Sequence, residues 1–459
     1  MCRTADYGLV VSDMFTIIVN LLSVTAYIAS AVVILRRFPR YLILFGMVSL
    51  MQAWSLISCF YNDLGFYNFE LFRYTETTYA TSHLALFYLV FNLGFAIAAR
   101  VLRDRPLARR SYGLKDVAPN LGALKTLVYA GIGLVAAYVF YNMATNGIPA
   151  LMGIDRNSYL SEASLLDRLL LVWGGTVAFV LGLTSRRRGR FSINGIILAL
   201  LIVYALMVGH KFSFISQLLW MYATPVFARW VASHPDWKPR LGRYVVRGFV
   251  VTAVFLGLAY AVYAKQLANV EGAQSLLFGR VMAFQGEVWW AADNAVAEAG
   301  GHDKRHWEDE LDKIIDPQHT PLETVGMRYL MIRILGGEKA FPIFDHGYLY
   351  TMAYPAILIV TFPYALALLL QCLAGVLLLL LLYYLHWSLV YRHNLRAIVT
   401  FLVVLPLAAT LSTGNFFVFF TLGILLKVLL LSVAESLPPP RAAENRTPLA
   451  PETAMYRQT

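Results

Sequence analysis

Cysteine is scarce in this sequence, and Cys2, Cys59 and Cys372 are isolated from one another. None lies in a CxxC pair or beside histidines, so the sequence predicts neither a disulfide framework nor a zinc site. Charged residues are also scarce, at 14% of the chain. No nucleotide-binding motif or DxD-like metal motif is evident, and we expect no cofactor. An internal repeat of convincing length is missing as well, which argues against a fold assembled from duplicated halves.

Apolar residues are abundant, at 59% of 459 residues, and mean hydropathy is +0.60. A soluble domain of ordinary composition is excluded. Runs such as 15–33, 366–385 and 416–431 are long enough to cross a hydrocarbon core of about 30 Å as helices. Alternating segments of the barrel type are not evident. The sequence therefore predicts an all-α polytopic membrane protein.

The positive charge is arranged in clusters rather than spread evenly. Net charge is +11, which in a soluble protein would favour nucleic acid as a partner. Here the lysines and arginines concentrate in the connectors near 36–40, 103–125, 186–190, 238–247 and 392–396. These connectors fall on one side of an alternating topology, and the positive-inside rule makes that side cytoplasmic. We expect no nucleic-acid partner, an N-terminus outside the cytoplasm and a cytoplasmic C-terminus.

Apolar periodicity predicts about eleven spans. They lie near residues 10–35, 41–60, 79–101, 127–143, 169–183, 193–208, 214–231, 249–264, 364–385 and 398–411, with a last span ending near 432. Residues 1–264 would hold eight spans with short loops, and 265–350 one large outer loop with short amphipathic helices. Residues 351–433 would hold the remaining spans, with a re-entrant start suggested by Pro355 and Pro363. The tail 434–459 is expected to be disordered in the cytoplasm.

Within the large loop, three segments have helical spacing, and the third, 321–335, carries Arg328 and Arg333. Residues 275–299 favour a surface-lying helix whose Trp289 and Trp290 anchor in the headgroup layer, where an apolar ring with a polar edge is accommodated. These tryptophans could alternatively stack on sugar faces. Residues 302–316 favour a docked outer helix with an apolar stripe formed by Trp307, Leu311, Ile314 and Ile315.

The end of the loop carries the candidate catalytic residues. His346 can accept a proton near neutral pH, and the neighbouring Asp345 could orient its ring. The alternative is a hydrogen-bonded structural histidine at the membrane surface.

Several cationic residues on the outer side are candidates for binding an anion. Arg328 and Arg333 suit a diphosphate because guanidinium binds phosphate oxygens bidentately and stays charged. Headgroup binding or an ion pair with loop carboxylates would explain each equally well. Further cationic residues recur at outer loops and turns: Arg156, His210, Lys211 and Arg280. They indicate an anionic ligand, or alternatively their side chains extend to lipid headgroups.

Four segments together resemble the O-antigen polymerase (Wzy-type) group of bacterial envelope proteins, which is broadly similar to the O-antigen ligases. The segments are Gly147-Ile148-Pro149 with Asp155-Arg156, the turn 209–213 (GHKFS), the large loop with Arg280, and 345–349 (DHGYL). In ligases a polar residue usually follows the histidine at the loop end. Gly347 stands there instead, which leaves polymerase and ligase both open.

The resemblance implies a glycosyltransferase of GT-C-like type in the bacterial inner membrane, acting on its periplasmic side. A glycan on undecaprenyl diphosphate would be transferred to a sugar hydroxyl of another lipid-linked repeat unit. Basic residues would steady the diphosphate, His346 would remove the acceptor proton, and Tyr348 could stack on a sugar. The implied partners are the undecaprenyl-diphosphate-linked oligosaccharide, membrane lipids and a chain-length-regulating co-polymerase.

Two other classes remain open from the residues alone. A transporter or flippase of lipid-linked glycan would line its path with polar residues deep in several spans. Most ionisable residues here lie at loop ends instead, which favours chemistry at the surface. The other class is a structural partner in an envelope-glycan assembly.

Overall fold

The structure is a computed structural model. It describes residues 4–68, 71–103, 121–152, 159, 164–185, 193–208, 212–232, 279, 282–283, 285–316, 318–345, 354–390, 393–413 and 422–436. Throughout these ranges helices dominate, and the one sheet is a hairpin of two short strands.

The first part of the chain is a series of apolar helices, one of which has only four residues. They are α1 (Thr4–Arg37), α2 (Leu42–Asn62), α3 (Ala80–Arg103), α4 (Leu121–Asn146), α5 (Pro149–Met152), α6 (Leu165–Thr184), α7 (Ile193–Met207) and α8 (Phe212–Ala232). A short 3-10 turn, Pro39–Tyr41, joins α1 to α2. Between α2 and α3 lies the hairpin of β1 (Tyr67–Asn68) and β2 (Arg73–Tyr74), which the sequence analysis did not predict.

The second part begins with short helices and ends with long ones. The short helices are α9 (Glu287–Glu298), α10 (Lys304–Ile315), α11 (Gly326–Leu335), α12 (Gly337–Asp345) and α13 (Ala356–Thr361). A 3-10 turn, Leu322–Thr324, precedes α11. The long helices are α14 (Tyr364–Val390), α15 (Asn394–Thr413) and α16 (Leu422–Ser436). The break between α13 and α14 falls at Phe362 and Pro363.

Among the described residues, four helical segments are long and apolar enough to cross a membrane: Met14–Arg37, Pro39–Asn62, Ala80–Leu102 and Tyr364–Val390. Three shorter apolar helices, Trp173–Thr184, Ile193–Met207 and Asn394–Ala408, accompany them. The chain is thus a helical protein with membrane-type helices, as composition predicts. Helices also lie over the other predicted spans that fall in the described ranges, while the predicted span 249–264 lies outside them.

Helices α3 and α14 run side by side in very close contact. A Cβ atom at Gly94 would lie 2.1 Å from the carbonyl oxygen of Cys372, and one at Gly375 would lie 2.1 Å from that of Phe91. Only glycine therefore fits at these two positions. Small residues that let two backbones approach are a common basis of helix association in membranes. This contact joins the middle of α3 to the middle of α14.

The helix bundle has two different ends. We call one the basic end, because Arg36, Arg37 and Arg40 lie there with the last turns of α8 and α14. The last turn of α6 joins them, since Arg229 of α8 donates to the Leu183 carbonyl over 2.8 Å. We call the other the capped end, where the last turn of α2 and the first turns of α3 and α14 meet the short helices α9 to α13.

Candidate active site at the capped end

The cap is held on the bundle by the residues that precede α9. The amide of Gly286 donates to Oγ of Ser58 over 2.9 Å, and Oγ of Ser55 donates to the Gln285 carbonyl over 2.8 Å. A Cβ at Gly286 would lie 2.1 Å from the amide nitrogen of Cys59. The start of α9 thus rests directly on the backbone of α2, at a position where only glycine fits.

Trp289 and Trp290 are buried in this contact, with exposed fractions of 1% and 3%. Nε1 of Trp289 donates to the Ala80 carbonyl over 2.7 Å, and Nε1 of Trp290 donates to Oδ1 of Asp63 over 3.0 Å. The prediction that they anchor in the headgroup layer is wrong, and so is the alternative of sugar stacking. Buried acceptors at the ends of α2 and α3 satisfy their polar edges, so the rings pack inside the protein.

Asp63 is a buried carboxylate that accepts hydrogen bonds from α1, from α3 and the segment before it, and from α9. It accepts from Asn20 of α1 over 3.0 Å, from the hydroxyl of Thr78 over 2.6 Å and from that of Thr81 over 2.5 Å, besides Trp290. Burial raises the pKa of Asp63, and the hydrogen bonds from Thr78 and Thr81 act in the opposite direction. With so many donors around it, Asp63 is a structural anchor for the cap.

The docked α9 brings Asp293 to His83 in the first turn of α3. Nδ1 of His83 donates to Oδ2 of Asp293 over 2.8 Å, and the ring of Tyr364 lies edge-on with its centroid 6.0 Å from the imidazole. The histidine side chain is 46% exposed, whereas the carboxylate is mostly buried. The carboxylate fixes the orientation and tautomer of the ring and leaves Nε2 for a ligand or a proton.

A second polar cluster lies between α10 and α11. The hydroxyl of Tyr329 donates to Oδ2 of Asp303 over 2.5 Å and accepts from Nη1 of Arg333 over 3.0 Å. Arg333 Nη1 also lies 3.6 Å from Asp303 Oδ2. The hydrogen bond from Tyr329 is the main reason that the pKa of Asp303 is lowered. Burial, with that same bond, raises the pKa of Tyr329 to about 12.

His306 lies fully buried beside this cluster. Its ring stacks on Tyr329 with centroids 4.0 Å apart, and its Nε2 lies 3.1 Å from Oε1 of Glu310. Nδ1 lies 2.7 Å from Oγ1 of Thr361, and because that hydroxyl donates to the Ile357 carbonyl, it accepts from His306. The buried face of α10 is thus a polar one that locks α10 against α11 and α13.

The prediction of a docked helix is thus confirmed, but the apolar stripe does not form the docked face, although the ring centroids of Trp307 and Phe362 are 5.1 Å apart. Trp307 and Leu311 are exposed, and Ile315 has an exposed fraction of 79%. His306 and Glu310 occupy the buried face because their partners, Thr361 and the amide of Gly326 at 2.6 Å from Glu310 Oε1, come from other segments.

Of the residues that the sequence analysis proposed for the site, three lie in the described part of the chain. Arg333 pairs with Asp303 as above. Nη1 of Arg328 lies 3.4 Å from Oε1 of Glu323, and its guanidinium lies 5.2 Å from the ring centroid of Phe344. Each arginine thus lies near a loop carboxylate, as the sequence analysis expected if these residues form ion pairs rather than bind a diphosphate. Both side chains are partly exposed. Asp345 is exposed at the last position of α12.

The remaining proposed residues lie outside the described ranges: His346, Tyr348, Arg156, His210, Lys211 and Arg280. Their predicted roles stay predictions. Among the described residues, no three His, Cys, Asp or Glu side chains are grouped so that they could hold a metal ion.

The sequence analysis named Arg333 but missed the other residues of the two polar clusters, which are His83 with Asp293, and Asp303 with Tyr329 and His306. Two local signals were available: Asp303 stands at the N-cap of a charged helix, and His306 and Glu310 are spaced i,i+4. No local signal connects His83 with Asp293, which follows 210 positions later.

Fold and site together define a helical membrane protein with a polar cap that presents an oriented histidine at one end of its bundle. The comparisons with known proteins add one match over part of the chain and no activity. Residues 320–428 match the model of a family of unknown function, DUF6418. That stretch includes Arg328, Arg333 and Asp345, and it runs through α14. No curated protein and no solved structure matches the chain.

Proposed function

We propose that the protein is a glycosyltransferase that transfers a lipid-linked glycan at the capped end of its helix bundle. The observation that carries this proposal is the pair of His83 and Asp293, joined over 2.8 Å with the imidazole half-exposed. A general base must be oriented, accessible and able to take a proton near neutral pH, and a histidine held by a carboxylate meets all three needs.

In this proposal the capped end is periplasmic and the basic end is cytoplasmic, since positively charged loops stay inside. The chain crosses the bacterial inner membrane about eleven times, with a periplasmic N-terminus and a cytoplasmic tail. Residues 265–350 form the periplasmic loop, whose helices α9 to α12 cover the bundle, and a re-entrant stretch leads into α14. What supports this orientation is the gathering of Arg36, Arg37 and Arg40 at the end opposite to the cap.

The reaction is transfer of a glycan from undecaprenyl diphosphate to a sugar hydroxyl of a second lipid-linked repeat unit. The base takes the proton of the acceptor hydroxyl, whose oxygen forms a bond to the anomeric carbon. The bond from that carbon to the diphosphate oxygen breaks, and undecaprenyl diphosphate leaves with the electron pair. This transfer balances without a cofactor. A chain-length-regulating co-polymerase is a further proposed partner.

Cations are needed where negative charge develops on the leaving diphosphate. Arg328 and Arg333 are the described candidates, because both keep exposed surface beside their carboxylate partners. Arg156, His210, Lys211 and Arg280 are the candidates from the sequence, and Tyr348 is the candidate for stacking on a sugar. His346, oriented by Asp345, is a second candidate base. Substituting each histidine in turn shows whether His346 or His83 acts as the base.

Purified protein supplied with undecaprenyl-diphosphate-linked repeat units tests this function. Polymerisation predicts a ladder of longer lipid-linked glycans together with released undecaprenyl diphosphate. Transfer to a lipid A core acceptor with no ladder would show a ligase instead. Movement of the lipid-linked glycan across a liposome membrane with no new bond would show a transporter, and the proposal would then be wrong.

A further inference from the structure

A pocket at the basic end lies far from the capped end and has no part in the proposed transfer. It opens between the start of α2, the last turns of α8 and the last turns of α14. Most of its wall is apolar and consists of leucine, isoleucine and phenylalanine side chains. Four polar side chains interrupt this wall. The hydroxyl of Thr224 donates to the Trp220 carbonyl over 2.8 Å, and the other three are Arg40, Tyr41 and His386.

Each of these three side chains has a buried polar atom that finds no hydrogen-bond partner in the described part of the chain. The atoms are Nε of Arg40, the hydroxyl of Tyr41 and Nδ1 of His386. Tyr41 itself is 4% exposed. Buried polar groups in proteins are almost always hydrogen-bonded, because leaving one unpaired costs free energy. Three such atoms in one pocket offer hydrogen-bonding positions to a ligand that enters it.

The three groups lie close enough to act on one ligand. The guanidinium carbon of Arg40 is 4.9 Å from the ring centroid of Tyr41, and the centroids of Tyr41 and His386 are 6.2 Å apart. Both distances are measured to the Tyr41 ring, so the three side chains line the same part of the pocket.

The chemistry of the three groups selects an anion with several oxygens. A guanidinium only donates hydrogen bonds, and a phenol and an imidazole N–H can donate as well. Arg40 adds a permanent positive charge, and no carboxylate lines the described pocket. Exposed Arg36 and Arg37 nearby add to the positive potential. Three hydrogen-bond donors, one of them a cation, suit a phosphate group, because its oxygens accept from several directions.

We propose that this pocket binds a phosphate group, carried by an anionic membrane lipid or free in solution. The apolar wall formed by Leu382, Leu385 and Leu389 favours the lipid, since the first carbons of an acyl chain can lie against it. Arg40 pairs with the phosphate, and Tyr41 and His386 donate to its other oxygens. The site rests on these contacts alone and is independent of the proposed transferase activity.

The test uses the full-length protein, delipidated in dodecyl maltoside, with the unfolding midpoint as the measure of binding. The probes are dioctanoyl phosphatidylglycerol, the phosphate-free dioctanoylglycerol, and sodium phosphate against sodium chloride at equal ionic strength. Tyr41→Phe removes only the hydroxyl and keeps the ring. Arg40→Gln removes the charge that lines the pocket, and Arg37→Gln removes an exposed charge at the same end as the matched control.

Phosphatidylglycerol should raise the midpoint of the wild type and of Arg37→Gln, while dioctanoylglycerol should not. Arg40→Gln should need about tenfold more lipid for the same shift, and Tyr41→Phe several-fold more, because each loses a hydrogen bond to the phosphate. An equal shift with sodium phosphate would identify free phosphate as the ligand. If neither probe shifts the wild type, or if Arg40→Gln and Tyr41→Phe respond as the wild type does, the site does not exist.

Discussion

His83 and Asp293 lie 210 positions apart in the chain, yet Nδ1 of the one is 2.8 Å from Oδ2 of the other. The contact exists because α9 is docked on the bundle through Gly286 and Trp289, which places Asp293 over the first turn of α3. The cap and the membrane-type helices therefore form this pair jointly, and neither would present an oriented histidine without the other.

Asp293→Asn tests the positioning of that base. We expect kcat for glycan transfer to fall at least about tenfold with little change in KM, because an amide can favour the wrong tautomer of the histidine while leaving substrate contacts intact. Asp316→Asn is the matched control, since its exposed carboxylate lies 2.8 Å from His319, another histidine of the cap. Equal losses in the two variants would mean that the pair of His83 and Asp293 has no special role.

His346→Ala and Arg328→Ala test the residues that the sequence proposed. If His346 is the base and Arg328 steadies the diphosphate, both variants should insert in the membrane and make only single lipid-linked repeat units. The glycan chain length in cells that carry each variant measures this. If both variants made glycan chains of normal length, neither His346 nor Arg328 would have the proposed role, and His83 would remain the candidate base.

Gly286→Ala tests the docking of the cap. A Cβ there would lie 2.1 Å from the Cys59 amide nitrogen and 2.5 Å from the Ser55 carbonyl oxygen, and these backbone atoms cannot move aside easily. We expect a loss of about 1–3 kcal/mol or more in stability, visible as a lower unfolding midpoint. Gly133→Ala is the control, because a Cβ at Gly133 meets nothing within 4 Å. A midpoint unchanged in Gly286→Ala would show that the cap does not rest on α2.

The pH dependence of stability tests the cluster of Asp303 and Tyr329. The folded-state pKa of Asp303 is lowered, so its contribution is present above the unfolded value of about 3.9 and is lost as pH falls through the folded pKa. The difference in unfolding midpoint between wild type and Asp303→Asn should be constant from neutral pH down to about 5 and shrink below about 4. A difference that grows on acidification would contradict the hydrogen bond from Tyr329.

The long helices could be predicted from the sequence because apolar runs between basic connectors mark them directly. The polar core of the cap could not, because burial of His306 depends on Thr361 and burial of Trp290 depends on Asp63. A tryptophan suits a headgroup layer as well as a protein interior with a buried acceptor, and the sequence does not show the acceptor. The same holds for His83, whose partner is supplied by the tertiary fold.

The most direct test of the central claim is the single-turnover rate of glycan transfer by His83→Gln, measured with purified protein and lipid-linked repeat units. Loss of a general base predicts a rate about 10² to 10⁴ times lower than that of the wild type. His319→Gln, which changes an exposed histidine that also has a carboxylate neighbour, should keep the wild-type rate. A wild-type rate in His83→Gln would contradict the account.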